Sequence, residues 1–174
     1  MAARVPAIAR WTARSVALLA VAFTCSRAAR AANDCPWLNE ATAAGILDGN
    51  ATGLYVAATP DKPGSCTFTE IASGETHQLI IVVEVAASPH QRMMALEHAC
   101  TSPSEPLAAI GNEAVHCAAM PRGKPHGELI IGRVRDQVFT IAITSTAKND
   151  PVLEPHELAM RSQTAAEEVS GNLF

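Results

Sequence analysis

Aromatic residues are scarce in this chain: two Trp, one Tyr and four Phe make up 4% of its 174 residues. That scarcity argues against a sugar-stacking surface, which is built from exposed aromatic faces. Basic residues are also few beyond the start of the chain. Five of the 13 Lys+Arg and none of the 17 Asp+Glu fall within residues 1–31, so the remainder carries a net charge of −9. Such a balance repels phosphate backbones and anionic lipid surfaces. The short groups "RGK" (122–124) and "RVR" (133–135) are no exception. Nucleic acid is therefore not an expected partner.

Several chemical signatures are missing too. The sequence has no C-x-x-C pair, no H-x-x-x-H pair and no G-x-S-x-G elbow. Compact zinc sites and serine-hydrolase elbows need those arrangements to bring ligands or nucleophile into one place. No cofactor is implied. No apolar run reaches the roughly 20 residues that a membrane-spanning helix needs.

What is present begins with an export signal. Residues 1–31 contain Arg4, Arg10 and Arg14, then the apolar "SVALLAVAF" (15–23), then "SRAARA" (26–31). A basic start, a short apolar middle and a small-x-small end together describe a secretory signal peptide. Cleavage after Ala31 would leave residues 32–174 as one exported domain, periplasmic or secreted. An Arg-rich organellar presequence is the other reading of this start. Cys25 follows Ala22, Phe23 and Thr24. The bulky Phe suits a lipidation signal poorly, so Cys25 is read as part of the discarded signal, with lipid anchoring as the alternative.

Four cysteines remain beyond the signal: Cys35, Cys66, Cys100 and Cys117. An even number in an exported chain argues for two disulfides, with three possible pairings. Chain order favours Cys35–Cys66 and Cys100–Cys117, each stapling a helix to a nearby strand.

A short helix is expected within "CPWLNEATAAGILDGN" (35–50), capped by Asn39 and ended by a left-handed Gly49. Strand patterns occupy 53–59, 65–71, 77–87, 114–120, 128–135 and 138–145, the last two joined tightly at Asp136-Gln137. Between them lies a helix at 88–101, with Ser88 and Gln91 as a capping box and Pro89 at its first position. Residues 101–113 and 121–127 are expected to be loop and turn. A closing helix at 156–170 follows Pro155 and stops at Gly171. Adjacent hairpins without regular βα alternation argue against a parallel sheet. The expected fold is α+β, a twisted antiparallel sheet of four to six strands with the helices packed on one face.

These features resemble a known domain. A Cys before a short Ala-rich helix ending "ILDG", a Cys in the next strand, "PLAAIGNEAV" (106–115), "GRVRDQVFTIAI" (132–143) and "AAEEVSGNLF" (165–174) carry the likeness. Together they resemble the domain of unknown function found in actinobacterial secreted proteins and lipoproteins. The resemblance implies an exported, disulfide-held α+β domain with no established activity, and it supplies no catalytic residues. Relatives of that type often keep a lipidated cysteine, from which Cys25 departs. The Ala-rich composition also suggests a bacterial source, in which "NAT" (50–52) would not be glycosylated.

Candidate chemistry is thin. His90, His98 and His116 could form a metal site if they converged in space. Cys117 has His116 beside it, but neighbours on a strand point to opposite faces. Glu70 and Glu84 fall in strand patterns and are expected to face solvent on an open sheet face. The function expected is a non-enzymatic binding or interaction module of the cell envelope. It would take a protein or small-molecule partner through one face of its sheet. A periplasmic metal-binding protein, or an enzyme with a scattered site, is the alternative.

Overall fold

The computed structural model describes residues 34–72, 74–119, 126–147 and 149–174. The expected signal segment, Cys25 and most of the 121–127 turn lie outside them.

Helix α1 (Glu40–Leu47) is followed by β1 (Thr52–Val56), β2 (Gly64–Ala72) and β3 (Glu75–Val85). Helix α2 (Pro89–Leu96) runs into a 3-10 turn (Glu97–Ala99). Four strands come next: β4 (Glu105–Leu107), β5 (Glu113–Ala118), β6 (His126–Val134) and β7 (Gln137–Ser145). Helix α3 (Pro155–Leu173) closes the chain.

The fold is α+β, but among the described residues the sheet has seven strands, in the order β1-β2-β3-β7-β6-β5-β4, one beyond the four to six expected. All neighbours are antiparallel. The additional strand is β4, three residues in the expected 101–113 loop, too short to show any alternation. Two meanders, β1–β3 and β4–β7, meet where β3 pairs with β7. Helix α2 carries the chain from one meander to the other.

Alternation sorts the side chains onto two faces. Phe68, Leu79, Ile81, Ile130, Phe139, Ile141 and Ile143 form one core with Leu47 of α1 and Ala165, Ala166 and Val169 of α3. Cys117, Leu129, Ile131 and Val138 point the other way and pack around Met93 of α2. The helices therefore do not share one face, as was expected. Helical spacing shows that a helix has an apolar stripe, not which side of a sheet receives it.

Local signals explain most boundaries. Asn39 Oδ1 accepts the Thr42 N–H at 2.8 Å and starts α1. The left-handed residue after α1 is Asp48 (φ 61°), not Gly49 as expected. Pro89 opens α2, but Ser88 makes no side-chain capping bond, so the expected box is absent. Helix α3 passes through Gly171, because Leu173 extends its buried stripe and Asn172 Nδ2 donates to the Trp37 carbonyl at 2.9 Å. The β6–β7 turn is Arg135-Asp136, one residue earlier than expected, with Arg135 at φ 56°. Asn112 Oδ1 accepts the Arg135 N–H at 2.6 Å and holds that turn.

Cys35 bonds to Cys66 and Cys100 to Cys117. The first fixes the segment before α1 to β2, and the second ties the end of the α2 turn to β5. No described helix is long and apolar enough to cross a membrane.

Candidate functional site

Helix α2 covers the β6–β7 part of its face and reaches β3 through Arg92, whose guanidinium binds Glu84. The half of that face built by β1, β2 and β3 has no helix over it among the described residues. Register sets its side chains in rows. Val56, Ser65, Val82 and Thr140 form one, and Leu54, Thr67, Ile80 and Ala142 the next. Thr52, Thr69, Gln78 and Thr144 form the third. Leu54, Val56 and the neighbouring Ile71 are 66%, 52% and 72% exposed. None of these side chains is charged, in a chain whose remainder beyond residue 31 carries −9. Contiguous exposed apolar surface is a mark of interaction sites. The strand edge at β1 is partly guarded, since Glu40 Oε1 accepts the Gly53 N–H at 2.8 Å.

The opposite face holds a buried polar cluster at one end of the core. Phe68 and Leu79 point into this core, and two residues away, toward the same end of the two antiparallel strands, the same alternation turns Glu70 and His77 inward. Glu70 is 4% exposed, which corrects the expectation that it faces solvent. His77 Nε2 lies 2.7 Å from Asp150 Oδ2, and His77 Nδ1 lies 2.9 Å from Glu70 Oε2. The first contact is a hydrogen bond; at the second, neither buried atom has a hydrogen-bond partner. Asp150 also accepts from Ser145 Oγ, and from the N–H groups of Val152 (2.9 Å) and Leu153 (3.0 Å). Burial pushes its carboxyl upward, but the Ser145 and backbone donors, with attraction to His77, outweigh it and bring the pKa down to about 2. The Ser145 hydroxyl donates to Asp150 rather than to His77, so no nucleophile–base pair is formed.

The expected metal candidates do not come together. His90 of α2 contacts Glu113 at 3.0 Å, and Arg133 Nε donates to the same carboxylate at 2.8 Å. Those two bonds to Arg133 and His90 hold the Glu113 carboxyl below its ordinary range. His116 sits on the opposite face, with Nδ1 2.8 Å from Glu128 and Nε2 3.6 Å from Glu105. Burial raises the Glu128 carboxyl, against the pull of His116. The sheet thus stands between His90 and His116, and His98 is exposed on the 3-10 turn. Among the described residues no group of three His, Cys, Asp or Glu is placed to hold a metal ion.

Clefts open on the described surface away from this cluster. One of about 470 Å³ runs between Trp37, the Pro60–Pro63 turn and Val85; another, of about 210 Å³, lies by Asn39, Glu40 and Gly53. Neither is lined by Glu70, His77 or Asp150. The cluster is thus a buried network, not the floor of either cleft. No protein-family model matches this chain, and no curated protein does.

Proposed function

We propose that this protein is an exported, disulfide-stabilised binding module of the cell envelope, without enzymatic activity of its own. It takes a protein partner on the open β1–β2–β3 face. The observation that carries this reading is the three uncharged rows on that face, with Leu54 and Val56 exposed among them and Ile71 beside them. Two disulfides fit a chain that works outside the reducing cytoplasm. Scarce aromatics and net negative charge point away from sugar and nucleic acid. The resemblance to actinobacterial secreted domains supports the same placement, with residues 1–31 removed on export.

Photo-crosslinking tests the face directly. A crosslinking residue at Thr67 or Ile80, introduced in the producing cell, is expected to capture one discrete protein species. The same residue at Glu168, exposed on α3, is the control. Equal capture from both faces, or none from Thr67 and Ile80, contradicts the reading.

A further inference from the structure

The buried cluster carries an inference that is independent of the binding face. His77 Nε2 is engaged by Asp150 at 2.7 Å, so the proton on that nitrogen is accounted for. On the other side of the ring, Nδ1 and Glu70 Oε2 lie 2.9 Å apart, both fully buried and neither with another hydrogen-bond partner. Two bare lone pairs at that distance in a dry interior repel and are both left unsatisfied. We infer that Glu70 and His77 share one buried proton, and that this proton latches the segment leading into α3 onto the end of the sheet.

The latch joins four parts of the chain. Glu70 comes from β2, His77 from β3 and Ser145 from β7, while Asp150 comes from the connection to α3. Gly49, after α1, backs directly onto Glu70: a Cβ there would lie 2.6 Å from Oε1. Among the described residues, the other charged groups on the surrounding elements are engaged elsewhere or exposed. Glu75 accepts from Thr146 Oγ1, Arg161 binds the Ile46 carbonyl and Glu157, and Asp48, Glu154 and His156 are exposed. When the proton leaves to solvent, two carboxylates flank a neutral ring in the interior. Asp150 keeps its Ser145 and backbone donors, whereas Glu70 is left facing a lone pair. The cluster therefore loosens as pH rises, and the Asp150–Leu153 segment opens more often.

Two measurements on the full chain as its host produces it decide the matter. The first is nitrogen-15 and carbon-13 NMR of His77 and Glu70 near neutral pH. A proton on Nδ1, or a protonated Glu70 carboxyl, is expected; a bare Nδ1 beside an ionised Glu70 overturns the inference. The second is amide exchange over Val152 and Leu153 against pH, corrected for intrinsic exchange. While the closed form keeps the shared proton and the open form releases it, opening is expected to rise by up to about tenfold per pH unit, and to level off once the closed form has lost the proton too. In Glu70→Gln the amide N–H supplies a permanent donor to Nδ1, so the rise is expected to vanish. An identical pH profile in both proteins contradicts the latch. The NMR result on the unaltered protein stands even if the variant does not fold.

Discussion

Asp150 holds more of the fold together than any other carboxylate in the buried cluster. It accepts from an imidazole, a hydroxyl and two backbone N–H groups. Asp150→Ala leaves these donors unpaired in the interior, and is expected to cost about 3–5 kcal/mol, read by thermal or denaturant unfolding. Its acid behaviour has a definite sign. With a folded-state pKa near 2, against an ordinary 3.8, the carboxylate adds stability that is present above about 3.8. That contribution is lost as pH falls toward 2, so an acid titration followed by circular dichroism is expected to show a late transition. Asp150→Asn is expected to flatten the stability profile in that window. Glu70 was readable in the sequence to the extent that Cys66, Phe68 and Glu70 share a strand face. Asp150 was not: it lies in the break "KNDPVLEP", and its His77 partner is 73 positions away.

At the scale of elements, α1 and β2 are coupled through a single close approach. Gly49→Ala places a methyl group against the Glu70 side chain and pushes it off His77. A cost of about 1–3 kcal/mol is expected, with His77 ring resonances shifting in the same variant. Asn39→Ala removes only the cap of α1 and is expected to cost about 1 kcal/mol, leaving those resonances in place. Comparing the two separates loss of helix from loss of the contact. Six strands were legible, some from alternation as in β2 and others, like β3, from a long run of β-branched residues. The short β4 was not, because three residues show no period. Nor was the side of the sheet taken by α2, which depends on how the chain crosses from β3 to β4.

For the whole molecule, the two disulfides and the open face belong together. The bonds close separations of 31 and 17 residues and secure the segment before α1 and the turn after α2. Removing either by Cys→Ala pairs is expected to cost about 2–4 kcal/mol. The open face, by contrast, contributes little to the fold: Leu54→Lys and Thr67→Lys are each expected to change stability by no more than about 0.5 kcal/mol. Rows that can be altered so cheaply yet are uncharged in an acidic chain are the centre of the functional account. Native mass spectrometry of the protein recovered from its own host tests it most directly. The account predicts a chain starting at Ala32, four hydrogens below its all-thiol mass, carrying a protein partner that Leu54→Lys with Thr67→Lys abolishes. A partner that survives those substitutions, or a bare chain before and after them, would contradict it.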